Sequence, residues 1–519
     1  MMVANTPAYE ERGMTLGSLL TVCDTSRAVS DEDKKVVVTG LALKSQDVKS
    51  GDLFFACHGS QSSGHKYIQQ AIKHGAVAVL YEESYDFSGQ TNHVPLIAIL
   101  DLRKKLGSFA DFFYGNPSRL LNVIGVTGTN GKSSCAHFIA HTLSKGGLIP
   151  CGLMGTLGNG LYGNLSASLN TTPDALSVHR LLHKISDEGA KNLVMEVSSH
   201  GLQQGRANNV KFNTAVFTNL TRDHLDYHGS MKAYLEAKLK LFQEPSLEFA
   251  VINMADASAD KVLACLSKTV SVVGYRLHEE NTATYPSVPT LHVQMIEAVL
   301  VQSAVDGLAA KISSPWGTGI LRSNLLGRFN IENLLATLGV LLINKIPLNE
   351  ALIRLETVPA LTGRMEAFRN QTGKAMVVID YAHTPDALSQ ALQALRSHTT
   401  GRLWCVFGCG GDRDKGKRAE MGEIAGALAD HVLITNDNPR SEKPEKIIDD
   451  ITAGLDSKYT VIQDRALAIK FAIEHAAIND VVLISGKGHE TYQEQDGVRQ
   501  YFSDRNEVAK NLDCQAHSL

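Results

Sequence analysis

One run constrains this chain more than any other: Gly125-Val126-Thr127-Gly128-Thr129-Asn130-Gly131-Lys132-Ser133-Ser134. The apolar stretch Leu121-Asn122-Val123-Ile124 leads into it. Behind it Ala136, Ile139, Ala140 and Leu143 fall on one helical face, and Gly146-Gly147 stands where a C-terminal cap belongs. Strand, glycine-rich turn and helix in that order predict a phosphate loop. Glycines let backbone N–H groups curl around phosphate oxygens, and the helix start adds its partial positive charge. Lys132 neutralises the terminal phosphates, and Ser133 stands where a hydroxyl would meet Mg²⁺, with Ser134 beside it. The general pattern has a glycine five residues before Gly131, and this chain has Val126 there.

A loop of this kind needs a parallel α/β sheet, and the 519 residues are enough for about three domains. Residues 1–100 alternate short apolar runs (Val36–Val38, Leu53–Ala56, Val77–Leu80, Pro95–Leu100) with turns, which predicts a small α/β domain. Residues 101–357 carry a helix over Leu102–Tyr114, the phosphate loop and buried-strand candidates at Leu193–Met195, Ala215–Phe217 and Val251–Ile252. An antiparallel addition is expected over 290–322. Residues 358–519 repeat a strand-helix rhythm, with strands running into Asp380, Gly408, Thr435 and Ser485-Gly486. Open sheets of this type bind ligands at those carboxyl ends. The expected fold is therefore α/β throughout, with a central P-loop ATPase-like parallel sheet and a C-terminal Rossmann-like domain.

A net charge of −4 gives no sign of a nucleic-acid or membrane-surface binder. No apolar run approaches the ~18–20 residues of a membrane span. The start, Met1–Pro7, lacks the basic-then-apolar order of a secretory signal, and eight scattered cysteines fit reduced thiols in a cytoplasm.

Two further strand ends carry candidate ligands: Glu196, before Val197-Ser198-Ser199-His200, and Asp223-His224-Leu225-Asp226-Tyr227-His228-Gly229. Singly, such residues are usually surface or structural groups; beside a phosphate loop they read as metal or substrate ligands. In the helix expected over Met231–Phe242, Tyr234 and Lys238 lie one turn apart. Taken alone, Lys238 reads as a solvated lysine.

Together with Gly327-Arg328-Phe329-Asn330-Ile331-Glu332-Asn333, Gly363-Arg364-Met365-Glu366, Asp380-Tyr381-Ala382-His383-Thr384-Pro385-Asp386, Gly410–Gly416 and Gly486-Lys487-Gly488-His489-Glu490, these motifs resemble the Mur ligases. Those are the ATP-dependent amide-forming enzymes of peptidoglycan precursor synthesis, and the likeness runs through all three blocks in order. The resemblance implies that Lys132, Glu196, His224 and Lys238 are catalytic. ATP would be held by Gly128–Ser134, Asn330, Asn333, Arg364 and Asp380, and Mg²⁺ by Ser133, Glu196, His224 and a carbamoylated Lys238. A carbamate turns a cation that Mg²⁺ would repel into an oxygen ligand.

The resemblance further implies UDP-N-acetylmuramoyl-L-alanyl-D-glutamate as one substrate, gripped by Ser45, Asn170, Thr171, Thr172, Ser198, Gln204 and Arg206. The family usually shows Asp-Ser-Arg before its Gly-Asp-Leu-Phe segment. Here Lys44-Ser45-Gln46 precedes Gly51-Asp52-Leu53-Phe54, so only Ser45 carries over. Arg413, Asp437, Asn438, Pro439, Arg440, Gly486 and Glu490 match the amino-acid pocket. Asp-Asn-Pro-Arg resembles the signature of members that add meso-diaminopimelate, and Arg440 can grip its distal carboxylate bidentately. The expected enzyme is a cytoplasmic monomer that activates the D-glutamyl carboxylate as an acyl phosphate. The alternatives are an L-lysine-adding member, a folylpolyglutamate-type ligase, which lacks the extra N-terminal block, and a non-catalytic scaffold, which would be expected to have lost Lys132, Glu196 or Lys238.

Overall fold

The computed structural model describes residues 13–23, 28–58, 63–84, 94–168, 170–278, 293–304, 307–368, 374–396, 398–456 and 458–512. Met1–Pro7, read above for a signal, lies outside them. The chain divides into two compact units: Met1–Gly125 with Ile149–Thr214 and Gln243–Leu247, and Val126–Leu148 with Ala215–Phe242 and Glu248–Leu519.

In the first unit the strands Gly40–Ala42, Asp52–Ala56, Ala78–Glu82 and Leu96–Ile99 pair in that order, all parallel. Val36–Val38 is not one of them. Val37 and Val38 instead pair with Thr15 and Met14 in a two-stranded ribbon, and the sheet's edge strand starts at Gly40. A side chain at position 40 would collide with the Asp52 carboxylate, so an apolar residue there would not fit. The helix Leu102–Phe113 closes one face through Leu106, Phe109 and Phe113, with Phe109 edge-on to Phe55. Its first N–H groups, on Leu102 and Arg103, donate to the Glu82 carboxylate at 3.1 and 3.0 Å, which favours negative charge at a helix start. The same unit carries Cys151–Gly155 parallel to Asn192–Glu196, an antiparallel hairpin (Gly158–Leu161 with Asn164–Ser166), and the helix Ala175–Asp187 capped by Asp174.

The strand Asn122–Thr127 leads from the first unit into the second, where the helix Lys132–Leu143 packs on Arg328–Ile343. Neighbouring strands there run Thr214–Phe217, Phe249–Asn253, Ser271–His278, Val293–Ala304, Gly307–Ser314 and Gly317–Ser323. The last two pairings are antiparallel, as the turn-rich sequence suggests, but Val293–Ala304 joins Ser271–His278 in parallel. The C-terminal sheet has the order Glu366–Phe368, Met376–Asp380, Val481–Ser485, Leu403–Phe407, His431–Ile434, Tyr459–Val461, and only its first strand is antiparallel. Apolar residues cover both of its faces. Leu388, Leu392, Met421 and Ile447 pack on one side, and Ile469, Ile473 and Val508 on the other. The strand order doubles back where Val481–Ser485 inserts, parallel to both, between Met376–Asp380 and Leu403–Phe407, and such a switch point leaves a crevice at the strand carboxyl ends.

Candidate functional site

Val126, where the general loop pattern has glycine, is a buried strand residue, and the turn starts two positions later. Gly128 has φ +152°, and a side chain on it would strike the Thr218 hydroxyl; Gly131 has φ +83° and faces Asn333. The loop is braced from outside, by Asn219: Thr129 and Asn130 donate their N–H groups to its carbonyl and side-chain oxygens, each at 2.8 Å. Gly131 caps the helix without a side chain, which keeps its positive end open to an anion. Lys132 folds over the turn, its Nζ 2.9 Å from Gly128 O and 2.7 Å from Thr129 O, and Ser133 lies buried in the first helical turn.

Lys238 is not solvated. It is 1% exposed, 4.3 Å above the Tyr234 ring, and its Nζ donates to Gly128 O at 2.6 Å. The helix ends one residue later, at Leu239, and continues as a 3-10 turn. Burial first, then the nearby Lys132 cation, holds the Lys238 amine well below the usual lysine range, against an opposing pull from Asp223. Tyr234, whose hydroxyl lies 3.2 Å from Thr129 Oγ1, joins the same cluster. His224 sits at φ +53°, with Nε2 3.4 Å from Asp223 Oδ2. Its pKa falls to about 4, chiefly through burial, with Lys132 and Lys238 adding to the drop against Asp223. Lys132, His224 and Lys238 thus come together, with His224 held neutral and the Lys238 amine pushed toward its neutral form.

The third block reaches this loop. Asn130 Nδ2 donates to Asp386 Oδ2 at 3.1 Å, a contact the sequence reading missed. Asn333 donates to Asn330 at 3.1 Å, and its oxygen lies 3.3 Å from Cys135 Sγ on the loop helix. Asp380 is buried and accepts the N–H groups of Met365 and Ala382, each at 2.8 Å. Burial raises its pKa while Arg364 works against the rise. The Arg364 guanidinium covers the Tyr381 ring at 4.5 Å.

In the first unit Glu196 is fully buried at the end of its strand and accepts from Thr156 N at 2.9 Å and Thr156 Oγ1 at 3.2 Å. Gly155 makes room for it. Thr171 bonds Thr156, while Thr172 Oγ1 donates to Glu196 O and accepts from Ser198 N, both at 3.0 Å. Arg206 donates to Thr172 O at 2.8 Å and to Gln204 Oε1 at 2.7 Å. Thr156 and Gly155 escaped the sequence reading; a glycine-threonine pair closing a buried strand was the available signal. A cleft of ≈ 1240 Å³ is lined by Ser45, Gln46, Asn170, Arg180, Gln204 and Arg206, among others, but not by Thr171, Thr172 or Ser198. Ser45 itself donates to Gln70 Oε1 at 2.9 Å.

At the carboxyl ends of the C-terminal sheet, Arg440 sits at φ +52° and its Nη1 donates to Gly411 O at 2.7 Å. A Cβ on Gly410 would lie 2.8 Å from Arg440 Nη1 and 3.9 Å from Arg413 Cγ, so the two arginines flank that glycine. Gly486, at φ +113°, faces Asp437 Oδ2, and Asn438 donates to Glu490 Oε2 at 2.9 Å. Pro439 is buried. Among the described residues no three His, Cys, Asp or Glu side chains stand together as a metal cluster.

The model "Mur ligase family, catalytic domain" matches residues 37–114, "Mur ligase middle domain" residues 126–341, and "Mur ligase, glutamate ligase domain" residues 363–488. The UDP-N-acetylmuramoyl-L-alanyl-D-glutamate--2,6-diaminopimelate ligase of Coxiella burnetii is 45% identical over 92% of this chain and 96% of its own length. A solved structure of an enzyme with that name is 36% identical with a TM-score of 0.68, covering 98% of this chain and all of its own. The folylpolyglutamate synthase of Mycobacterium tuberculosis, 18% identical with a TM-score of 0.58 over 74% of this chain, shares the fold alone. By its family models and by identity across nearly its whole length, the chain belongs to the Mur ligase family.

Proposed function

We propose that this enzyme ligates meso-diaminopimelate to UDP-N-acetylmuramoyl-L-alanyl-D-glutamate at the expense of ATP, in peptidoglycan precursor synthesis. The observation that carries the reading is Arg440 at a strand carboxyl end, braced by Gly411 O beside Asn438, Gly486 and Glu490. A guanidinium there suits the second carboxylate that distinguishes diaminopimelate from lysine. The match at 45% identity to a relative of that name supports it. We divide the chain into a uridine-binding domain over 1–100, an ATP-binding domain over 101–357 and an amino-acid-binding domain over 358–519, and take it to act as a cytoplasmic monomer. Among the described residues no helix is long and apolar enough to cross a membrane.

The D-glutamyl γ-carboxylate oxygen attacks the γ-phosphorus of ATP, the bond to the bridging oxygen breaks, and ADP leaves. Lys132 and the open end of its helix neutralise the phosphates, with Asn330, Asn333, Arg364 and Asp380 completing the nucleotide site. The neutral amine of diaminopimelate then attacks the acyl carbon; the C–N bond forms, phosphate departs with the C–O electrons, and the amine proton is released. Thr171, Thr172, Ser198, Gln204 and Arg206 orient the acidic substrate, with Ser45 and Asn170 on the cleft. Ser133, Glu196, His224 and a carbamoylated Lys238 have the donor chemistry for Mg²⁺. His224 is held neutral, and the Lys238 amine, pushed by burial toward its uncharged form, can in that form add to CO₂ with loss of a proton. Bound there, Mg²⁺ would supply charge neutralisation for phosphoryl transfer. Release of ADP that requires both the UDP-sugar dipeptide and meso-diaminopimelate tests the reading; hydrolysis independent of either substrate would defeat it.

A further inference from the structure

Lys487 is a fully buried lysine side chain at the acceptor pocket that no step above uses. It follows the strand Val481–Ser485, and positive φ at Gly486 and Gly488 turns the chain on either side of it. Its Nζ lies 3.3 Å from Asp437 Oδ1, 3.0 Å from Asn438 Oδ1 and 3.3 Å from Glu490 Oε2, and its side chain is 0% exposed. These three partners are residues assigned above to the amino acid. We propose that Lys487 is the positioning residue of the acceptor pocket, holding Asp437, Asn438 and Glu490 in the arrangement that receives an ammonium group of the incoming α-amino acid.

Two carboxylates facing one site repel unless a cation lies between them. Lys487 supplies that cation and takes one oxygen from each, Oδ1 of Asp437 and Oε2 of Glu490. Among the described residues the second oxygen of each carboxylate takes no hydrogen bond, and Lys487, Asp437 and Glu490 together carry a net −1, which matches one ammonium. Lys487 also sets the amide of Asn438. The amide oxygen accepts from Lys487 and from Glu494 N at 3.1 Å, so its NH₂ is the group that donates to Glu490. Gln493 closes the back of the network, donating to Asp437 O at 3.0 Å.

The proposal rests on the acceptor reading above, and the experiment separates the two. Steady-state kinetics are run on wild type, Lys487→Met, Lys487→Gln, Glu490→Gln and the Glu490→Gln/Lys487→Gln pair, varying meso-diaminopimelate and ATP in turn. Lys487→Met is expected to raise the acceptor KM about 10–100-fold, the range for a lost charged hydrogen bond, with ATP KM within about twofold. Because part of the cation's effect passes through Glu490, adding Lys487→Gln to Glu490→Gln should raise the acceptor KM by a smaller factor than Lys487→Gln does alone. That pair restores charge balance and carries the test if Lys487→Met fails to fold. An unchanged acceptor KM in Lys487→Met, a parallel rise in both KM values, or full additivity in the pair overturns the proposal. Arg440→Ala with an unaltered acceptor KM would instead defeat the pocket assignment itself.

Discussion

Two buried lysines, Lys238 behind the phosphate loop and Lys487 in the acceptor pocket, have the same side chain and nearly the same burial, yet opposite surroundings. Lys238 meets a carbonyl, an aromatic face and a second lysine, so burial drives its amine toward the neutral form. Lys487 meets two carboxylates and an amide oxygen, and forms an ion-paired brace. Burial alone does not assign a role; the sign of the neighbours does. A buried amine whose burial and neighbouring cation outweigh the pull of one carboxylate is drawn toward a nucleophile suited to CO₂, whereas one between two carboxylates is a fixed charge that shapes a site.

The sharpest way to break this contrast is Lys238→Arg. Arginine stays charged and cannot carry a carbamate, so kcat should fall on the order of 10³-fold with ATP still bound, as for loss of strong electrostatic stabilisation. Wild-type protein in ¹³C-bicarbonate should show a carbamate resonance that the variant lacks, and an active variant would remove the distinction. Lys132→Ala comes next. It removes the charge at the terminal phosphates and should cost kcat about 10²–10³-fold in a single-turnover assay. Normal turnover would mean that ATP sits elsewhere. On the other side of the comparison, Arg440→Ala should raise the acceptor KM by roughly 10–100-fold and leave the ATP KM near wild type. The smallest effect is expected from Asp386→Ala, which loses the bond from Asn130. A rise of only about five- to tenfold in ATP KM, near 1 kcal/mol, would mark that contact as a brace and not a ligand.

The phosphate loop was legible because everything it needs is local: a strand, two glycines, a lysine and a helix within twenty-odd consecutive positions. The strand ends at Asp380, Thr435 and Ser485 were legible for the same reason. Lys487 was not, because its partners Asp437 and Asn438 lie some fifty residues away. They meet it only because Val481–Ser485 inserts beside Leu403–Phe407, two strands from the partners' own. Lys238 was read as solvated until the family resemblance was drawn; a period of four placed it over Tyr234 but gave no hint of what covered both. Asp386 stands in a quoted motif, yet its bond to Asn130 spans 256 positions. Val36–Val38 misled because three consecutive valines outweigh, on propensity, the glycine-led strand beside them. The sheet took Gly40–Ala42 instead, where the missing Cβ clears the Asp52 carboxylate.

The assignment of the acceptor is tested most directly by kcat/KM of the unaltered enzyme for meso-diaminopimelate and for L-lysine, at saturating ATP and UDP-sugar dipeptide. With Arg440 unpaired and facing an ammonium, L-lysine should be poorer by roughly 10⁴-fold, as for sites built around a polar group that the competitor lacks. Values within about tenfold of each other would show that Arg440 does not read the distal carboxylate, and the acceptor would have to be assigned anew.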